Sequence, residues 1–97
     1  MFVPELVYTA PPEAVDAVLA EHVVGLDEQY RQGVFLASGR TVPRDGGAII
    51  AVAGDRARIE EITAQDPFVT AGVCVYRVTG FVATKTAPAL EAYRETL

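Results

Sequence analysis

The strongest constraint on this 97-residue chain is the order in which two hydrophobic periodicities alternate along it. A strand-like segment runs from Phe2 to Ala10. Pro11-Pro12 ends it and presets φ for a helix, whose N-terminus Glu13 and Asp16 complement. From Glu13 to Gln32 the apolar positions Val15, Val18, Leu19, Leu26 and Tyr30 share one stripe, which predicts a single long helix stopped by a left-handed cap at Gly33. Val34 to Thr41 and Ala48 to Ala53 are expected to form a hairpin around the turn cluster Pro43-Arg44-Asp45-Gly46-Gly47. Gly54-Asp55 opens a second helix that passes through Ile59 and Ile62 to Gln65. Val73 to Thr84 is expected to be a long fourth strand, and Pro88 to start a short helix with Leu90, Tyr93 and Leu97 on one side.

Strand, helix, strand, strand, helix, strand is the split β-α-β order, which places both helices on one face of an antiparallel sheet. The expected fold is therefore α+β, ferredoxin-like β-α-β-β-α-β with a C-terminal helix, as a single domain over residues 1–97. Such a sheet should alternate apolar-in with polar-out, yet Phe2, Leu6 and Tyr8 oppose Val3 and Val7, and Ile49 and Ala51 oppose Ile50 and Val52. The helices cover one face only. A second copy covering the other would make a two-fold dimer, an α+β barrel, with Val78 expected to point outward into the interface.

Composition narrows the function classes. Hydrophobic residues are 51% and charged residues 22% of the chain, enough apolar area to offset the entropy of ordering. Eight basic against thirteen acidic residues give a net charge of −5, the wrong sign for a nucleic-acid partner. No apolar run reaches the ~18 residues of a membrane span, and Met1-Phe2-Val3-Pro4-Glu5 lacks the features of a signal peptide, so a cytoplasmic protein without membrane association is expected. The single cysteine, Cys74, has no disulfide partner and reads as a small buried hydrophobe. One histidine supplies too few ligands for a divalent metal, so neither metal nor cofactor is expected.

That histidine, His22, lies four residues after Val18 and four before Leu26, on the stripe the first helix turns to the sheet. It is either a core histidine satisfied by one hydrogen bond or a general acid/base, since imidazole titrates nearest neutral pH. Asp66 precedes Pro67 and reads as the cap of a short helix, Pro67 to Ala71, ending at Gly72. The two helices are neighbours in this fold, so a His22–Asp66 pair is open as a second reading. Glu21 and Asp27 are not three or four residues from His22 and cannot easily pair with it.

The run Ala64-Gln65-Asp66-Pro67-Phe68-Val69-Thr70-Ala71-Gly72-Val73 resembles the signature of the YCII-related family, small dimeric proteins with a ferredoxin-like α+β barrel. His22 with Leu26, Gly33 before an apolar strand, and Leu36-Ala37-Ser38-Gly39 before a turn agree with it. The resemblance covers the chain up to about Lys85 and implies a catalytic dyad of His22 and Asp66 in a pocket between helices and sheet. It also implies relatives such as a dehydrochlorinase of hydroxylated aromatic rings, and similarity in fold to muconolactone isomerase. Two positions depart from the family pattern: Arg40, where a proline often follows Ser38-Gly39, and Gly25, inside the first helix, where it admits substrate or a close chain approach or is simply tolerated.

The expected function is a cofactor-independent lyase or isomerase in which His22, oriented by Asp66, moves a proton on a small enolisable, phenolic or aromatic compound. Ser38, Gly39, Arg40, Tyr8 and Phe68 are the expected substrate contacts, with Arg40 suited to an anionic or enolate oxygen. Cofactor-free oxygenation is a related alternative. The alternative of another class is a non-catalytic dimeric protein that binds a small molecule in the same pocket.

Overall fold

Strand pairing follows from where the apolar side chains must go. The computed structural model describes residues 1–97 as β1 (Phe2–Tyr8), α1 (Pro12–Asp16), α2 (Leu19–Arg31), β2 (Phe35–Arg40), β3 (Gly46–Ala51), α3 (Arg56–Ala64), α4 (Pro67–Thr70), β4 (Cys74–Gly80) and a final 3-10 helix (Pro88–Tyr93). The sheet order is β2-β3-β1-β4 and every neighbouring pair is antiparallel. This is the ferredoxin-like α+β arrangement.

Register fixes the two faces. Leu6 stands opposite Gly47 and Tyr76, Phe2 opposite Ala51, and Pro4 opposite Val78, all on the side covered by helices. Two core clusters form there. Leu6, Val15, Phe68, Val73 and Cys74 make one, and Val34, Phe35, Ile49, Ala51 and Ile59 make the other. Each buried Val, Leu, Ile or Phe stabilises the fold by about 1.5–3 kcal/mol, so the two clusters anchor all four strands to the helices. Gly33 and Gly72, both at φ 74°, end α2 and α4 in the left-handed conformation expected of them. Asp55 caps α3 by accepting from the Arg58 N–H at 2.9 Å.

The expected long first helix is broken. Val18 adopts φ −110° and ψ 1°, and its N–H bonds Val15 at 3.1 Å in an i→i−3 turn before α2 begins. Val15, Val18 and Leu19 nevertheless pack in one cluster across the break. β4 stops at Gly80 rather than Thr84, because its ladder with β1 ends at the Phe2–Gly80 pair and a last bond from Phe81 N–H to Met1 O. The final helix is 3-10, and Leu90, Tyr93 and Leu97 are all exposed rather than packed on a common side.

Val78 is a further correction. It faces the helices and packs against the Ile59 cluster, so it does not point outward. The uncovered face carries Val3, Glu5 and Val7 from β1, Ala48 and Ile50 from β3, and Val75, Arg77 and Thr79 from β4. Val7 and Val75, cross-strand partners, are 42% and 51% exposed. Between these apolar residues Arg77 and Glu5 pair at 2.9 Å. No helix is long and apolar enough to cross a membrane.

Candidate active site

The tetrapeptide helix α4 is built to serve a neighbour. Asp66 is its N-cap, Pro67 its first residue with φ preset, and the Asp66 Oδ1 accepts the Phe68 N–H at 2.9 Å. The same Oδ1 lies 2.8 Å from Nδ1 of His22 on α2. The Phe68 ring stacks on the imidazole, with centroids 3.8 Å apart and planes 8° from parallel. One turn of helix thus supplies both the group that orients the imidazole edge and the plate that fixes its plane. His22 is 7% exposed.

A third donor completes the carboxylate. Tyr76 on β4 donates its hydroxyl to Asp66 Oδ2 at 2.5 Å. Burial alone would push the Asp66 carboxyl up, but hydrogen bonds from His22, Tyr76 and the Phe68 N–H outweigh it and hold the group below the usual carboxylate range. The Tyr76 hydroxyl is pushed far up by burial and by the neighbouring Asp66 charge, so it remains a donor. An ionised Asp66 can only accept, which assigns the proton to Nδ1 of the neutral imidazole and leaves Nε2 as the basic nitrogen. No protein group partners Nε2.

Tyr76→Phe keeps the ring's packing and removes this third donor. The expected cost is about 1.5–3 kcal/mol of stability, the usual range for a hydrogen bond to a charged group, read by urea unfolding. Wild-type stability in the variant would show that the hydroxyl contributes nothing to holding Asp66.

His22 lies between two clefts. The first, about 220 Å³, is walled by Leu6, Leu19, Leu26, Ile49 and Phe68. Its polar side chains are those of His22, Tyr8, Ser38, Arg40 and Arg44, and Val15, Val23, Ala48, Gly39, Gly46 and Gly47 complete the lining. The second, about 210 Å³, lies on the Asp66 side and includes Gly25, Gln65 and Tyr76, together with Gln29, whose Oε1 is buried without a partner.

The sequence-derived contacts Tyr8, Ser38, Gly39, Arg40 and Phe68 all line the first cleft, whereas Asp66 lies behind His22. Ser38 Oγ is 2.5 Å from the Tyr30 hydroxyl and has no base beside it. Gly25 has no atom within 4 Å of where a Cβ would stand, so no close chain approach requires it. Cys74 is buried, and burial pushes its thiol up to about 11, which makes it inert. Tyr76 and Arg44 are the functional groups that sequence reasoning missed. A tyrosine on the inner face of an apolar strand signals a hydroxyl in need of a partner. Arg44 is hidden within its turn cluster. No three His, Cys, Asp or Glu side chains come together as a metal site requires.

The antiparallel sheet, covered by helices on one face, thus holds an imidazole–carboxylate pair between two clefts. Residues 1–82 match the YCII-related domain, and the chain belongs to that family. Among solved structures it is similar to the 5-chloro-2-hydroxyhydroquinone dehydrochlorinase TftG from Burkholderia phenoliruptrix, in complex with 2,5-dihydroxybenzoquinone. Identity is 17%, coverage is 84% of this chain and 93% of that one, and the TM-score is 0.67. It also matches SnoaB, a cofactor-independent oxygenase from Streptomyces nogalater, at 22% identity over 90% of this chain and 94% of that one, with a TM-score of 0.49. No curated protein matches the chain in sequence.

Proposed function

We propose that this protein is a cofactor-independent enzyme of the lyase or isomerase type that moves a proton on a small enolisable or phenolic compound. The observation that carries this reading is the 2.8 Å contact between His22 Nδ1 and Asp66 Oδ1, which leaves Nε2 unpartnered on a ring that lines a small, mostly apolar cleft. Nε2 takes a proton from a carbon next to a carbonyl, or from a phenol hydroxyl, and the imidazolium formed is stabilised by Asp66. The same nitrogen then returns the proton to another atom of the bound molecule or to its leaving group. General acid–base catalysis at this level supplies about 10²–10⁴-fold, which suits substrates whose carbanion is resonance-stabilised.

The test is deuterium incorporation in D2O, followed by NMR, into two probes. Hydroxyhydroquinone, chosen because the fold neighbour TftG is a dehydrochlorinase of such a ring, represents the phenolic class, and α-angelica lactone the enolisable class. Exchange or double-bond migration should run faster than with free imidazole at equal concentration. Rates no faster than imidazole for both probes would overturn the reading.

The functional unit in this proposal is a homodimer joined through the uncovered sheet face, since a patch containing Val3, Val7, Ile50 and Val75 should not persist in water. Light scattering at micromolar concentration should give twice the 10.4 kDa chain mass. Val75→Asp, which places a charge on that face opposite Val7, should shift the assembly to monomer. A wild-type mass of one chain, or a variant that remains fully dimeric, would exclude this interface.

A further inference from the structure

Charge is distributed unevenly around the first cleft. In a chain of net charge −5, no Asp or Glu lines it, while two arginines do. Arg40 comes from the end of β2 and Arg44 from the β2–β3 turn, and both converge on a single oxygen of Asp16, at the end of α1. Arg40 Nη2 is 3.6 Å from Asp16 Oδ1, and Arg44 Nη2 is in direct contact with it. Arg44 is also held from the side, its Nε donating to the Tyr8 hydroxyl at 3.2 Å and its Cζ 5.6 Å from the Tyr8 ring centroid. The carboxylate nearest in sequence, Asp45, accepts from Thr41 Oγ1 at 2.8 Å and does not line the cleft. Two guanidinium groups against one carboxylate leave one positive charge unbalanced at the cleft wall.

We propose that the cleft selects substrates bearing a carboxylate, bound by Arg40 and Arg44 together, with an apolar ring or chain reaching inward to His22. The inference rests on the reading of this cleft as the substrate site and adds the substrate class. A guanidinium fork matches a planar carboxylate with two parallel hydrogen bonds, and Asp16 leaves most of these donors unused, since Arg44 meets only one of its oxygens and Arg40 stays 3.6 Å from it. The single excess charge matches a monoanion; a phosphate dianion would leave charge unbalanced beside hydrocarbon. Beyond the two arginines, the Tyr8 and Ser38 hydroxyls and His22, the lining is hydrocarbon and glycine, which suits an apolar body rather than a sugar.

The experiment compares benzoate with its neutral isostere benzamide by titration followed in ¹H–¹⁵N spectra of the wild-type protein. Benzoate should bind at least tenfold more tightly (~1.4 kcal/mol) and shift the amides of Gly39 and Gly47 and the Nε–Hε signal of Arg44. The double variant Arg40→Gln, Arg44→Gln should lower benzoate affinity at least tenfold and bring the two ligands to equal affinity, while unchanged amide shifts of the core residues Ile59 and Val73 report an intact fold. Equal wild-type affinities for the two ligands would overturn acid selection while leaving the proton-transfer reading standing. Benzoate shifts confined to residues outside the cleft, or none at all, would overturn it as well. His22→Ala should keep the benzoate preference, so a loss of proton transfer and a loss of acid preference are read separately.

Discussion

His22→Ala is expected to reduce protein-accelerated proton transfer by about 10²–10⁴-fold, the whole of what a positioned acid/base supplies, while the fold persists. Without the imidazole, Asp66 keeps two of its three donors, the Phe68 N–H and the Tyr76 hydroxyl, so the α4 cap survives. Asp66→Asn should act more narrowly. The Asn amide can turn its NH2 to Tyr76, because a hydroxyl accepts as readily as it donates, while its carbonyl still receives the Phe68 N–H and the His22 Nδ1–H. The tautomer is then kept and only the charge behind the imidazolium is lost. A hydrogen bond to a charged group is worth about 1.5–3 kcal/mol, which corresponds to a rate loss of about 10–100-fold. Deuterium-exchange rates and ¹⁵N spectra of the ring, measured on both variants, check this. An Asp66→Asn protein as fast as the wild type would reduce Asp66 to a helix cap. Acid stability follows from the same carboxylate: its folded pKa lies below the ordinary ~3.9, so it stabilises the fold fully above that value. This contribution is lost as pH falls through the lower folded value, and the variant should lack that part of the acid transition.

Local chemistry places His22 and Asp66 on neighbouring helices and leaves their pairing open, and the family resemblance is what implies it. Asp-Pro announces a helix cap, His22 lies on an apolar stripe, and the order of elements makes their helices neighbours. The break at Val18 is not legible, since Val15, Val18 and Leu19 keep a helix-like spacing through it. The face chosen by β4 is ambiguous for a different reason. Over Val73 to Thr84, Val73, Val75 and Phe81 weigh against Tyr76, Val78 and Val82 in apolar area, although Arg77 and Thr79 share the phase of Val75 and argue that it faces outward. The Tyr76 hydroxyl resolves it: only the phase that turns Tyr76 inward lets it reach Asp66, and that phase carries Val78 inward as well. Arg44 escapes notice because turn composition explains its neighbours completely. Its partner Asp16, four residues beyond Pro12, reads equally well as a charge near a helix start.

Gly46→Ala is expected to destabilise the protein by about 3 kcal/mol, the upper end for overpacking, and to spoil the mouth of the cleft with it. A Cβ at Gly46 would stand 1.9 Å from the Leu6 carbonyl oxygen and 3.0 Å from its carbon. These are backbone atoms of the paired strand, which no rotamer change can move. Relief requires β1 and β3 to separate where Gly46 pairs with Val7, at the end that also holds the bonds from Tyr8 N–H to Asp45 O and from Thr41 N–H to Gly46 O, both 3.1 Å. Tyr8 and Arg44 sit on that same end and meet in the cleft wall, so strand separation should displace both. Gly54→Ala provides the contrast: nothing lies within 4 Å of its Cβ position, and its effect should stay within about 0.5 kcal/mol. Urea unfolding of the two variants, with benzoate titration of whichever fraction of the Gly46→Ala protein remains folded, measures both consequences. A Gly46→Ala protein destabilised by less than about 1 kcal/mol, below the overpacking range, would mean that β1 and β3 do not approach this closely.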